Sequence, residues 1–198
     1  DNLPVSAFLD MPDGAFAPGT SKQDKMCATD TVPHWVSDKC IKCNMCSFVC
    51  PHGVIRPFKL SDEEYNNAPD YIKERRIDNF IIGISVKDCT GCGLCIKSCL
   101  SKESLISSKL KDEIKEQEVY DYLDKFITYK EDNLKTIKST QFKEPKIQFP
   151  GACAGCSQPS YIKLLTQLFG DSMIIANATG CSSIYGASAP SMPYTIPW

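Results

Sequence analysis

The alternation of apolar and polar residues along this 198-residue chain changes rhythm several times. Residues 1–39 show no sustained period and are broken by Pro4, Pro12, Gly14, Pro18 and Gly19, so they read as an irregular linker or arm. Two short apolar runs, Val54-Ile55 and Phe80–Ile84, predict short strands. Between them Ser61 to Arg76 begins acidic (Asp62, Glu63, Glu64) and ends basic (Lys73, Arg75, Arg76), which predicts a solvated loop or helix inserted at about 60–79. Over 102–147, Leu110, Ile114, Leu123 and Ile127 recur at near-helical spacing with Glu116, Glu118 and Asp121 between them, the pattern of a surface helix packed on a larger body. Ser160 is placed to cap a helix that carries Ile162, Leu164, Leu165, Leu168 and Phe169 and stops at Gly170. Met173–Ala178 reads as a buried strand whose carboxyl end meets a tight turn, Thr179–Ser183. Ligands of open α/β sheets bind at such strand ends, so 148–198 reads as the start of an α/β cofactor domain.

Charge adds an exclusion. The 22 Lys+Arg against 24 Asp+Glu leave a net −2, and the ten lysines and ten acids of 102–147 cancel. Neither nucleic acid nor an anionic membrane is favoured as a partner. No apolar stretch has the form of a signal peptide or a transmembrane helix. With twelve cysteines, this points to a reducing setting, the cytoplasm or an anaerobic organelle matrix. The chain opens on Asp1 and closes on an apolar, proline-dotted tail, Met192–Trp198; both ends read as cuts through something longer.

The cysteines carry the chemistry. Cys40-x2-Cys43-x2-Cys46-x3-Cys50-Pro51 is matched by Cys89-x2-Cys92-x2-Cys95-x3-Cys99. This is the run of two-cluster ferredoxins, in which three thiolates wrap one [4Fe–4S] cube and the fourth reaches the cube of the other run. The expected sets are Cys40, Cys43, Cys46 and Cys99 for one cluster and Cys89, Cys92, Cys95 and Cys50 for the other. A zinc site wants two separated pairs, and a disulfide framework suits a smaller secreted domain. Residues 40–101 thus form, by expectation, an α+β two-[4Fe–4S] ferredoxin-like domain of short strands and single-turn helices, whose business is one-electron transfer. Cys27 stands outside both runs and reads as a small buried or half-buried thiol without a role. Cys153-x2-Cys156 is a ligand pair by spacing, and Cys181 sits at the strand-end turn. Spacing alone leaves a redox dithiol, a zinc half-site and part of a third cluster open, because three cysteines do not complete a cube.

Longer runs narrow the choice. Leu3–Phe8, Cys46-Ser-Phe-Val-Cys50-Pro-His, Ile55-Arg-Pro-Phe, Asp88-Cys-Thr-Gly-Cys-Gly, Gln141-Phe, Gly151–Cys156, Tyr161–Asp171 and Ile174–Gly186 together resemble the C-terminal portion of pyruvate:ferredoxin (flavodoxin) oxidoreductase, over nearly the whole chain. The resemblance implies two clusters in a ferredoxin-like domain and a third, proximal cluster beside thiamine diphosphate in the domain that begins at 148. It places Cys153, Cys156 and Cys181 on three of the four proximal ligands, the fourth lying beyond Trp198. It implies thiamine diphosphate with Mg2+, cleavage of pyruvate, transfer of the acetyl group to coenzyme A, a homodimer when complete, and electron delivery to ferredoxin or flavodoxin. Gln158 and Cys181 fall at thiamine-contacting positions. Two departures stand out: Ser157-Gln158 replaces the usual Gly-Glu pair, and an amide cannot take up a proton as a carboxylate does; and Leu100 replaces a common proline after Cys99. The expectation is an electron-relay segment that does not oxidise pyruvate alone. The rivals are a free-standing two-cluster carrier and an interaction subunit assembling with a separate catalytic chain.

Overall fold

The computed structural model describes residues 2–11, 13–130 and 136–198. Pro12, one of the breaks in the arm, lies outside the described residues, as do Asp1 and 131–135 of the connecting segment. β1 (Thr31–Trp35) leads into the first cysteine run, α1 (Met45–Val49) sits within it, and β2 (Ile55–Lys59) leaves it. The insertion follows as α2 (Asp62–Asn67) and α3 (Asp70–Lys73). β3 (Phe80–Ile84), α4 (Leu94–Lys97) and β4 (Leu105–Lys109) then repeat the first pattern around the second run. α5 (Leu110–Glu113), α6 (Glu116–Phe126), α7 (Ile137–Thr140), α8 (Gln158–Phe169) and α9 (Cys181–Gly186) complete the order.

The strands pair in nested fashion. β1 runs antiparallel to β4 with Thr31 opposite Lys109 and Trp35 opposite Leu105; β2 runs antiparallel to β3 with Ile55 opposite Ile84 and Lys59 opposite Phe80. First with last and second with third, the pairing folds each cysteine run against the other half. Pro33 and Pro57 survive inside strands because each sheet has two strands, so every strand is an edge and a missing N–H can face away from the ladder. The pairing brings β1, from the arm, and β4, from the connecting segment, together on either side of residues 40–101.

Ile55, Ile81, Ile84, Val86 and Leu105 lie at or below 1% exposure in the main core, and each such side chain contributes roughly 1.5–3 kcal/mol by leaving water. α6 covers β3 with Val119, Tyr120 and Leu123. Gly83 permits this approach, since a Cβ there would stand 3.1 Å from Leu123 Cδ1 and 3.2 Å from Phe58 Cε2.

Three expectations need correction. The single helical face over 110–127 is two helices, with a break at Ile114–Lys115 that resets the phase: Leu123 and Ile127 are buried, whereas Ile114 is 42% exposed. Ser160 does not cap α8. That helix begins two residues earlier, and Ser160 lies in its first turn, donating its hydroxyl to the Val49 carbonyl at 3.1 Å. Met173–Ala178 is not a buried strand. Its one strand-like backbone bond runs from the Ile175 amide to the Pro197 carbonyl, and Ile174 is 84% exposed. An extended segment becomes a strand only where a neighbour accepts its ladder, and the described residues bring none alongside. The acidic and basic ends of the insertion, in contrast, find partners both within it and on the connecting segment. Ser61 and Glu64 form a capping box on α2, Arg76 lies 3.8 Å from the Tyr65 ring centre, and Arg75 pairs with Glu116 of α6.

Candidate metal centres

Each cysteine run begins after a single helical turn, Ser37–Lys39 before Cys40 and Val86–Asp88 before Cys89. Two residues in each run are then left-handed: Lys42 (φ 56°) and Asn44 (φ 61°) in the first, Gly91 (φ 69°) and Gly93 (φ 71°) at the matching places of the second. These reversals coil the chain so that three sulfurs turn inward. They also aim one amide at the first sulfur of each run, Lys42 N–H to Cys40 Sγ and Gly91 N–H to Cys89 Sγ, both at 3.4 Å. The second left-handed residue caps the short helix that bears the third cysteine, Cys46 in α1 and Cys95 in α4.

The thiols gather in two cavities. One is lined by Cys40, Cys43, Cys46 and Cys99 with Trp35, Ile41, Ile82 and Leu105; the other by Cys50, Cys89, Cys92 and Cys95 with Val32, Val54, Ile55 and His52. Each holds three cysteines of one run and the last cysteine of the other. Burial pushes the Cys46 thiol up to about 12, and its neighbours Cys40, Cys43 and Cys99 add to the rise. Burial likewise pushes Cys89 up to about 11, with Cys50 and Cys92 beside it, and raises Cys95, where Cys50 is the next cause. Burial also acts on Cys99, but the Ser104 hydroxyl at 3.1 Å and that of Ser101 outweigh it and lower its pKa.

Crowded, buried thiols of this kind become thiolates only when a cation replaces the proton. No cysteine is in a disulfide. Among the described residues no three His, Cys, Asp or Glu side chains converge as they would on a single ion. Four sulfurs spread around an apolar cavity suit a group with four separate metal corners, so the donor set fits a [4Fe–4S] cube.

Residues outside the runs hold this frame. Gln117 of α6 accepts the Lys87 N–H at 3.0 Å and bonds Ser85, fixing the turn before Cys89. Gln141, just after α7, accepts the Ser47 hydroxyl at 3.0 Å, and Asn44 donates to the Lys138 carbonyl at 2.9 Å. The connecting segment thus clamps both runs rather than merely solvating the surface.

Residues 39–103 match the family profile described as a 4Fe-4S dicluster domain. Over 98% of its length the chain is 46% identical to the pyruvate-flavodoxin oxidoreductase of Enterobacter agglomerans, covering 17% of that protein. It is 44% identical over 99% of its length to the pyruvate:ferredoxin oxidoreductase of Moorella thermoacetica, again covering 17%. Over nearly its whole length the chain is similar to one segment of the pyruvate:ferredoxin (flavodoxin) oxidoreductases. A protein named pyruvate dehydrogenase [NADP(+)] from Cryptosporidium parvum is 42% identical over 98% of the chain, which covers 10% of it. The chain thus spans under a fifth of the curated relatives it matches.

In this chain the third cysteine set is built differently from the other two. Cys153 and Cys181 are exposed and Cys156 is half-buried. Their loop is nonetheless pressed on the second cavity: at Gly155 (φ 77°) a Cβ would stand 3.6 Å from Cys92 Cβ. Cys156 and Cys181 both lie near Tyr185, whose phenol burial pushes up to about 12, with Tyr194 and those two thiols adding to the rise. Gln158 is exposed at the start of α8, and Cys181 opens α9. Cys27 is exposed, not buried, and its amide donates to the Lys87 carbonyl. The pattern of the sequence missed Trp35, whose buried indole N–H has no hydrogen-bond partner, and Lys163, a buried lysine inside an apolar stretch. A lysine flanked by Ile162 and Leu164 carries no signal of its own.

Among the described residues no helix is long and apolar enough to cross a membrane.

Proposed function

We propose that Cys40, Cys43, Cys46 and Cys99 hold one [4Fe–4S] cluster, that Cys89, Cys92, Cys95 and Cys50 hold a second, and that the chain is the electron relay of an enzyme that oxidatively decarboxylates pyruvate with coenzyme A. The observation that carries this reading is the three-plus-one distribution of thiols over two adjacent cavities. When bound, such cubes accept and release single electrons at low potential. The chain's part is to hold them. The left-handed turns set the sulfurs, the amides of Lys42 and Gly91 and the Ser104 hydroxyl donate to sulfur, and Val32, Val54, Ile55, Ile82 and Leu105 exclude water.

The contact of Gly155 with Cys92 supports an order in which the third set adjoins the second cavity and the first lies farther out. Cys153, Cys156 and Cys181 supply three ligands of a proximal centre, and a cube takes four. Three thiols among the described residues, two exposed and one half-buried, do not by themselves complete that site. Thiamine diphosphate with Mg2+, near Gln158 and Cys181, rests on kinship, as do pyruvate, coenzyme A and a homodimeric assembly. The relatives' names put flavodoxin, ferredoxin and NADP+ against one and the same segment. That supports a relay serving an acceptor chosen by other surfaces, in a reducing compartment.

The test is anaerobic reconstitution followed by iron and sulfide analysis and electron paramagnetic resonance. About eight irons per chain are expected. Cys50→Ala should disturb the signal of the cluster held by the second run, and Cys99→Ala that of the first. If each change instead disturbed the cluster of its own run, the cross-ligation would be wrong; zinc in place of iron would end the proposal.

A further inference from the structure

Lys163 projects from α8 into the interior and is 4% exposed. Its ammonium donates to the carbonyl of Ser47. Ser47 lies in α1 between Cys46, which lines the first cavity, and Cys50, which lines the second. No described carboxylate pairs with Lys163. The charged groups acting on it are Cys50 and Cys46, which favour its charge, and Arg56, which opposes it. Arg56 is itself spoken for, its guanidinium bonding Asp124 at 2.7 Å and Tyr129 at 2.8 Å.

A buried ammonium without a counter-charge costs several kcal/mol, so such groups are retained where an anion faces them. Among the described residues, the groups that favour its charge are the sulfurs of Cys50 and Cys46. A cube with four thiolate ligands is net anionic and gains one more negative charge on reduction. A fixed cation between two of them therefore favours the reduced form of each.

We propose that Lys163 is the internal counter-cation shared by the two cluster sites, raising both reduction potentials, and that through it α8, the helix leaving the third cysteine pair, is tied to the wall between them. This rests on the cluster reading above. Burial pushes the ammonium down to about 8, with Arg56 adding to the fall and Cys50 and Cys46 opposing it. The role is one of positioning charge; Lys163 is not a ligand.

The experiment is a redox titration, followed by electron paramagnetic resonance, on the reconstituted chain and on Lys163→Gln, Lys163→Met and Lys163→Arg. Glutamine keeps a donor for Ser47 and removes the charge; methionine removes both; arginine keeps the charge. Removing a unit charge at this range should cost about tenfold in the reduction equilibrium of each cluster. That is a fall of about 59 mV for a one-electron couple. The expected result is a fall of both potentials in the glutamine and methionine variants and their recovery in the arginine variant. If the glutamine variant retains about eight irons and neither potential moves, Lys163 only ties α8 to α1 and the proposal is overturned. If only one potential moves, the shared role is overturned. A wild-type chain that fails to take up about eight irons would instead refute the cluster reading, a failure distinct from that of Lys163.

Discussion

Gly91→Ala tests the geometry of the second run most sharply. Gly91 has φ 69°, and a Cβ there would stand 2.3 Å from Thr29 Oγ1, 3.0 Å from Thr29 Cβ and 3.2 Å from the Thr31 carbonyl oxygen. The left-handed backbone costs an L-residue roughly 1–2 kcal/mol. Lys42, at the matching place of the first run, bears that cost at φ 56°, so backbone conformation alone does not demand glycine. The close contacts do. Thr29 must rotate away, losing the bond its hydroxyl accepts from the Thr31 N–H at 3.2 Å, worth about 1 kcal/mol. The Thr31 carbonyl belongs to β1 and can retreat only by distorting the sheet, a strain of order 1–3 kcal/mol. The sum for Gly91→Ala is about 3–6 kcal/mol. Gly93 is the control: φ 71°, with nothing within 4 Å of its Cβ position, so Gly93→Ala should cost only about 1–2 kcal/mol. Denaturant unfolding of both variants measures the difference, and iron analysis adds a second reading. Gly91→Ala should damage the cluster of the second run, because the amide donated to Cys89 moves with the turn. Equal destabilisation of the two variants would refute the close-approach argument.

Two further predictions use other parts of the frame. Burial would raise the pKa of Glu64, but the Lys130 ammonium and the amides of Ser61 and Thr128 outweigh it and hold it at about 2, against an ordinary 4.5. A carboxylate depressed in the folded state contributes stability that is full above its unfolded pKa and lost as pH falls through the folded one. Glu64→Gln should therefore cost about 1 kcal/mol at pH 7, and acid unfolding between pH 4.5 and 2 should lose part of its slope; a slope unchanged there would refute the assignment. Trp35 lines the first cavity with a buried, unpartnered indole N–H, so Trp35→Phe should lower the potential of the first cluster by removing a donor and leave the second unmoved. A shift of both, or of neither, would show that the N–H does not serve that site.

Much of the candidate site was legible in residue spacing because a cube dictates local geometry. The x2, x2 rhythm sets three cysteines of one run along one cavity, and the repeat announces two halves. Short strands at Ile55 and at Phe80–Ile84 were legible too, since β-branched residues ran between turn signals. The apolar run Met173–Ala178 has the same look without forming a strand, because a strand is a relation between segments and a periodicity describes only one. The break between α5 and α6 leaves no mark in the sequence for a related reason: near-helical spacing survives a two-residue interruption when the apolar residues flanking it are few.

Sequence alone determined where the twelve cysteine sulfurs stand, how eight of them repeat, and the kinship those runs carry. Tertiary structure alone decided where the interior cation sits. Lys163 is separated from Cys46 and Cys50 by more than a hundred residues, and only the packing of α8 on α1 brings its ammonium to the carbonyl between them. It decided as well that β1 and β4, outside the repeat as first drawn, close the body around the thiols. The physical reason is range. Ligand spacing is a local property of a short backbone, whereas burial and the field of a charge depend on every element packed around them.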